Sequence, residues 1–148
     1  MTFDRAGGRK TGLRVVFDTN VYVSMFYKEE SPLLELWHHA KKGTYELLTS
    51  PTILSEFADV VRIEFKWDKA KITHHLKLFS RAGKIIVPHD IPDVIKEDPP
   101  DNHILACAVA GKANLIVSKD LDLLRRKRHE GVGIVTPIDF LHMLEEER

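Results

Sequence analysis

Four carboxylates that lie far apart in the sequence share one kind of position, next to a junction between a predicted strand and a predicted helix. They are Asp18, Glu56, Asp101 and Asp120. In an open parallel sheet, ligands bind beyond the carboxyl ends of the strands, where these junctions meet. Carboxylates held close together raise one another's pKa unless a cation compensates their charge. Since hard divalent cations prefer oxygen ligands, the pattern predicts a metal site formed by these acids.

Each of these acids, taken singly, also has a structural explanation. Asp101 follows two prolines and suits a helix N-cap, and Asp120 could cap the turn that starts at Leu121. Asp18 could belong to a simple strand-to-helix turn, and Glu56 could be a solvated helix residue. Only the joint placement of the four acids at one edge of a sheet favours the metal site.

Other polar residues accompany the four acids. Asp122 is an alternative to Asp120 as the fourth ligand, and Asp120 is favoured. Thr19 and Asn20 lie within reach of hydrogen bonds to the ligands or to a phosphate, which is a supporting role at a metal site. Asp98 is expected at the periphery, where it tunes the site or caps the next helix.

The eight histidines do not predict a zinc site. The adjacent pairs at 38–39 and 74–75 point about 100° apart on a helix, so neither pair chelates one ion. The single cysteine, Cys107, lies in an apolar run and is predicted to be a core residue of a cytosolic protein. His103 follows Asp101 closely and could approach a substrate, but an exposed residue in the first turn of its helix is favoured.

Short apolar runs alternate with amphipathic segments along the whole chain, which predicts strands separated by helices. The predicted strands are 15–17, 45–49, 84–87, 114–117 and 133–135. The predicted helices begin at Ser31, Ser50, Asp68, Asn102, Leu121 and Thr136. Such an order requires a mainly parallel sheet that is covered on both faces, so the predicted class is α/β.

Length and composition favour one domain of 148 residues. Residues 1–12 are expected to form a disordered lead-in, and residues 13–148 a single domain. The uncharged stretch 104–111 is far shorter than the roughly 20 residues that span a bilayer, so we expect a cytoplasmic protein. The net charge is zero, with 22 acidic and 22 basic residues. If the four site carboxylates are compensated by metal, the remaining balance is basic and does not exclude RNA.

Four segments resemble the motifs of PIN domains, in the order in which that family carries them. The run VVFDTNVYVS resembles the opening of a PIN domain, and SPTILSEF resembles the second acidic motif. The segment DPPDNHILACAVAGKANLIVSKDLDLL resembles the third and fourth motifs of the family. The segment GIVTPIDFL resembles its C-terminal strand and helix. The resemblance covers about residues 13–144 and looks closest to the prokaryotic subgroup of VapC-like toxins. It places the catalytic and metal-binding acids at Asp18, Glu56, Asp101 and Asp120, and a supporting hydroxyl at Ser118.

This resemblance implies a three-layer α/β/α sandwich that hydrolyses RNA phosphodiester bonds with bound Mg²⁺ or Mn²⁺. It also implies the toxin of a toxin–antitoxin pair, with a small antitoxin protein as partner. A homodimer is a further expectation, using exposed apolar residues of the helices at 31–42 or 68–82.

Two alternative functions stay open at this point. One is a PIN-like module that binds RNA or a protein without cutting. The other is a phosphoryl-transfer domain, which is less favoured. A haloacid-dehalogenase site needs a second Asp where this chain has Asn20, and a receiver needs an acidic pair near the first strand.

The densest basic run in the sequence is Arg125, Arg126, Lys127 and Arg128. One interpretation is a solvated helix C-terminus, where cations are favoured by the helix dipole. The other is a phosphate-binding rim beside the acids, which would bind RNA. The sequence leaves both open.

Overall fold

The computed structural model describes residues 2–3, 9–28, 30–88 and 102–146. Their elements, in chain order, are β1 (Thr2–Phe3), β2 (Arg9–Lys10), β3 (Arg14–Phe17), α1 (Thr19–Phe26), α2 (Leu34–Lys42), β4 (Glu46–Thr49), α3 (Pro51–Glu64), α4 (Lys69–Ala82), β5 (Gly83–Ile85), α5 (Asn102–Ala110), β6 (Leu115–Val117), α6 (Leu121–Leu124), β7 (Arg128–His129), β8 (Val132–Val135) and α7 (Pro137–Glu146).

Six of the strands form one sheet in the order β5-β4-β3-β6-β8-β7. All neighbours are parallel except β7, which runs antiparallel to β8 at one edge. Val16 of β3 lies in register with Leu48 of β4 on one side and with Ile116 of β6 on the other. The predicted α/β fold with a mainly parallel sheet is confirmed, in a three-layer α/β/α arrangement. The strand order reverses its direction at β3, which is where such folds bind ligands.

The central strand β3 is buried over its last three residues, because helices cover both faces of the sheet. Residues 15–17 of β3 have no exposed surface. The ring of Phe17 packs edge-on against Tyr22 of α1 at 5.7 Å and against Phe140 of α7 at 6.4 Å. Cys107 is buried as predicted, and burial raises the pKa of its thiol to about 12. These contacts fix the strand whose carboxyl end carries Asp18.

One helix was not predicted from the sequence. No helix is predicted between Asp18 and Ser31, whereas the structure places α1 there. Val21, Tyr22 and Met25 are buried together with the polar residues of this helix, Thr19 and Ser24. A helix that is buried on most sides lacks the amphipathic pattern by which helices are detected, and its β-branched and aromatic residues favour strands locally.

The basic run lies in part at a helix end, as considered from the sequence, and in part in a strand that was not predicted. Arg125 ends α6, while Arg128 begins the short edge strand β7, which the sequence analysis does not predict. β7 and β8 are joined through Glu130 and Gly131, both with positive φ, of 46° and 82°. Two positive φ values suit a tight hairpin between antiparallel strands.

Two short strands lie within the predicted lead-in. β1 pairs antiparallel with β2. The backbone N and the Oγ1 of Thr11 both donate to the carbonyl oxygen of Thr44, at 2.8 and 2.9 Å. The chain is therefore anchored just before β3, and the proposed domain boundary near residue 13 stays a prediction.

No helix within the described ranges is long and apolar enough to cross a membrane. The longest of these helices have 14 residues, whereas a span needs roughly 20 apolar ones.

Candidate active site

Asp18 lies at the carboxyl end of β3 and caps the N-terminus of α1, with only 5% of its surface exposed. Its Oδ1 accepts a hydrogen bond from the backbone N of Thr19 at 2.7 Å. Its Oδ2 accepts from the hydroxyl of Ser118 at 2.7 Å and from Nδ2 of Asn20 at 3.2 Å. Both oxygens are therefore held in place by groups from two neighbouring strand ends.

The pKa of Asp18 is raised above its ordinary value. Burial is the largest cause, and the hydrogen bonds from Ser118 and Thr19 oppose it. The negative charges of Asp120 and Glu56 add to the rise. Asp18 is thus a buried acid whose neighbours include two of the other predicted acids.

Glu56 projects from the second turn of α3, and 38% of its side chain is exposed. Its Oε2 accepts from the hydroxyl of Thr19 at 2.9 Å, and its Oε1 lies 2.6 Å from Nε2 of His103. Burial raises the pKa of Glu56, but the hydrogen bond and charge of His103, together with the Thr19 hydroxyl, outweigh burial and lower it. The side chain is thereby kept ionised and oriented.

Asp120 joins the same network from the end of β6. Its backbone N donates to Oγ of Ser118 at 2.9 Å, and this hydroxyl donates in turn to Asp18. Oδ1 of Asp120 accepts from the backbone N of Asp122 at 2.8 Å, so the capping role considered for Asp120 is realised as well. The carboxylate of Asp122 lies 3.3 Å from the guanidinium of Arg125 instead. Of the two candidates for the fourth position, Asp120 is the one whose charge acts on Asp18.

Two predicted site residues, Asp98 and Asp101, lie outside the described residues. Their roles as a peripheral acid and as a metal ligand stay predictions. The helix that follows them, α5, begins at Asn102, and His103 in its first turn reaches Glu56.

Two residues near the acids were misjudged or missed by the sequence analysis. His103 is not an exposed first-turn residue, because it is 9% exposed and pairs with Glu56. Lys119 carried no sequence signal, yet its backbone N donates to Oδ1 of Asn20 at 3.3 Å and its Nζ donates to Oγ of Ser24 at 3.1 Å. The only available signal for His103 was its position two residues after Asp101.

The acids around Asp18 are of the chemical type that binds a hard divalent cation. Asp18, Glu56 and Asp120 offer carboxylate oxygens, and a cation would offset the burial and the repulsion that together raise the pKa of Asp18. Within the described part of the chain, no three His, Cys, Asp or Glu side chains come close enough together to hold a metal ion. Asp101, the fourth predicted ligand, is outside that part.

The basic run is exposed from Arg125 to Arg128. Arg125 forms an ion pair with Asp122, and Nη2 of Arg128 donates to the carbonyl oxygen of Gly131 at 3.2 Å. RNA binding by Arg125, Arg126, Lys127 and Arg128 stays a prediction.

A family model described as "PIN domain" matches residues 14–122, which is more than half of the chain. The chain belongs to the PIN domain family. The match includes Asp18, Glu56 and Asp120, and its span also covers Asp101. PIN domains are commonly nucleases, which supports a hydrolase activity, and they generally use divalent metal ions.

The crystal structure of PAE2754 from Pyrobaculum aerophilum is similar to this PIN domain, with a TM-score of 0.60 and 14% sequence identity. The match covers 94% of this chain and 99% of that chain. At this identity, the similarity shows the fold alone. A comparison with curated proteins finds no match.

Proposed function

We propose that this PIN domain is a divalent-metal-dependent endoribonuclease that hydrolyses RNA phosphodiester bonds. The main support is the buried carboxylate of Asp18, which is linked to Glu56 through Thr19 and to Asp120 through Ser118. Burying a charged acid beside other acids costs free energy. A bound cation would offset that cost, and nuclease chemistry would use it.

The residues proposed to hold Mg²⁺ or Mn²⁺ are Asp18, Glu56, Asp101 and Asp120. When bound, such an ion lowers the pKa of a water and stabilises charge on the phosphate and the leaving oxygen. The contribution of Thr19 is to hold both acids, since its backbone N binds Asp18 and its hydroxyl binds Glu56. Ser118 holds the other oxygen of Asp18. Carboxylates that are oriented in advance need less reorganisation when the site is loaded.

Cleavage assays on the full chain test this proposal. Labelled RNA should be cut in Mg²⁺ or Mn²⁺, should stay intact in excess EDTA, and should be cut poorly in Ca²⁺, whose looser geometry positions water less well. DNA of the same sequence serves as the substrate control. Full activity in metal-free protein would overturn the mechanism.

The same samples distinguish the proposed nuclease from a PIN-like module that binds RNA without cutting it. A module that only binds RNA would retain RNA in Mg²⁺ without cutting it. The phosphoryl-transfer alternative is weakened by Asn20, whose amide donates to Asp18 at 3.2 Å where a dehalogenase-type enzyme needs a second acid.

We further propose that the nuclease is the toxin of a toxin–antitoxin pair, on the basis of its motif pattern. An antitoxin would inhibit by covering the acidic cleft, with an Arg or Lys placed among the carboxylates. Gentle purification from the native host, followed by mass spectrometry, should recover a small second protein. Recovery of the 17.0 kDa chain alone would count against a stable pair.

The expected homodimer stays a proposal, but its expected interface needs revision. Among the described residues, none of the exposed large apolar side chains lies on α2 or α4. These side chains are Tyr27, Ile63, Phe65, Ile85, Val87, Val109, Leu121, Ile138 and Met143. Size-exclusion chromatography with light scattering would determine the oligomeric state.

A further inference from the structure

We infer that the outer face of α4 binds the phosphate backbone of substrate RNA outside the acidic cleft. This inference rests on the proposed ribonuclease function and adds a second RNA-binding surface to it. The residues of this basic face are Lys69, Thr73, His74, Lys77 and Arg81, all of them exposed.

The residues of the basic face follow from helical geometry. Lys69, Thr73, Lys77 and Arg81 recur at every fourth position, so they form one row along the helix, with steps of about 6 Å. The opposite side of the helix is held in the core by Ile72 and Phe79. Two shallow concavities lie along the row. One of about 590 Å³ is lined by Lys69, Ala70, Thr73, His74 and Lys77, and one of about 250 Å³ is lined by Thr73, Leu76, Lys77, Ser80 and Arg81.

The charge of this region is strongly one-sided although the whole chain is neutral. Between Lys66 and Lys84 the sequence has six basic residues and one acid, Asp68. Asp68 is already engaged as the N-cap of α4, where its Oδ1 accepts from the backbone N of Lys71 at 2.8 Å. In the described part of the chain, Lys69, Lys77 and Arg81 form no ion pair with a carboxylate. The face therefore offers cations that are not neutralised by neighbours.

The stability of the helix accounts for Arg81, which lies in the last turn, where the helix dipole favours a cation, but not for the lysine at the start of the face. Lys69 and Lys71 lie in the first turn of α4, where the helix dipole disfavours positive charge. Lys71 has a separate role, because its Nζ lies 4.2 Å from the centre of the Trp67 ring. Lys69 makes no such contact in the described part of the chain, so its charge is available to a partner.

RNA is the partner that fits this face best within the proposed function. Lys and Arg are hydrogen-bond donors suited to phosphate oxygens, and contacts of this kind position a nucleic acid without reading its sequence. The location also fits. α4 packs on the helix that carries Glu56, because Phe57 contacts the ring of Phe79 at 5.0 Å. Packed helix axes lie about 8–10 Å apart, so an RNA that extends beyond the acids can reach the face.

The test compares two triple variants of the full chain in the cleavage-deficient D18N background. One removes the charges of the face, with Lys69→Gln, Lys77→Gln and Arg81→Gln. The matched control removes three charges at the amino ends of the strands, with Lys10→Gln, Lys41→Gln and Lys42→Gln. Anisotropy measures the affinity for single-stranded RNA of about 16 nucleotides over a salt series. Circular dichroism checks that both variants keep their helices.

Loss of three phosphate contacts should reduce the slope of log affinity against log salt by about 2 in the face variant, and the control should keep the wild-type slope. With Asp18 restored, the face variant should show a higher KM on the long RNA with unchanged kcat, and normal cleavage of an RNA of about 4 nucleotides. An equal effect in both triples, or none in either, would overturn the inference. If the face variant kept the wild-type affinity for RNA but lost affinity for a poly-glutamate peptide, the partner of the face would be an acidic protein and the inference would be wrong. Failure of the wild type to cleave either RNA in Mg²⁺ or Mn²⁺ would sink the proposed nuclease function without touching the binding result.

Discussion

Nε2 of His103 lies 2.6 Å from Oε1 of Glu56, while the hydroxyl of Thr19 donates to Oε2 of the same carboxylate at 2.9 Å. The two oxygens of Glu56 are thus held by two elements, α5 and α1. A carboxylate held at both oxygens cannot rotate freely. His103 is therefore a positioning residue for a proposed metal ligand.

His103→Ala should lower RNA cleavage and Mn²⁺ affinity by about 10–100-fold, as loss of a group that orients a ligand does. His103→Gln, which can still donate to Glu56, should recover part of both. Mn²⁺ affinity is measured by calorimetry on the full chain. A similar loss for the alanine and glutamine variants, or loss of helix content, would indicate a packing role instead.

Asp18→Asn should abolish cleavage, with a loss above about 100-fold, because a direct ligand matters more than a group that orients one. Asn caps a helix about as well as Asp, so α1 should persist. The control is Asp68→Asn, which changes the N-cap of α4 in the same way at a carboxylate that binds the backbone N of Lys71. Cleavage by the Asp68 variant should match the wild type, and an equal loss in both would indicate a capping effect.

The stability of the metal-free protein should depend on pH through Asp18. Because the pKa of Asp18 is raised in the folded state, its protonation contributes to the free energy of unfolding. This contribution is fully present below the ordinary pKa of 3.8 and is lost as pH rises through the folded-state pKa. Asp18→Asn lacks this loss. The melting temperature of the Asp18→Asn variant minus that of the wild type should therefore increase as pH rises above 3.8, and should then level off. A difference that stays constant over this range would contradict the prediction.

The variants Asp120→Asn and Asp122→Asn should differ in their rates of RNA cleavage. The first removes a proposed ligand and should reduce cleavage by more than about 100-fold. The second breaks a partly exposed ion pair with Arg125, worth about 1 kcal/mol or less, and should change the rate by less than about fivefold. Equal losses would mean that both acids serve the site. Parallel cleavage assays at saturating Mg²⁺ make the comparison.

Replacing Arg125, Arg126 and Arg128 with Ala tests the other basic surface. If these residues bind phosphates, RNA affinity should fall and its salt slope should flatten by up to about 2, with the rate on saturating RNA unchanged. The Lys10, Lys41 and Lys42 triple again controls for bulk charge. An unchanged salt slope would mean that these residues are ordinary solvated surface residues that do not bind RNA. The ion pair between Arg125 and Asp122 is compatible with that role.

The amino-acid sequence was sufficient to predict the alternation of strands and helices, because buried strands and amphipathic helices leave local patterns. Ser50 and Pro51 mark the start of α3, and Gly43, with φ of 78°, marks the end of α2. The acids at strand ends could be proposed for the same reason, since a parallel sheet brings its carboxyl ends together. α1 escaped prediction because burial on most of its sides erases the pattern.

What only the tertiary structure decided are the contacts between segments that are distant in sequence. Ser118 donates to Asp18 across 100 positions, and His103 meets Glu56 from another helix. The sequence favoured Asp120 over Asp122 without showing what either carboxylate contacts, and the structure places Asp122 beside Arg125. Local patterns specify the elements, but which side chains meet depends on strand order and helix packing, which arise from the whole chain at once.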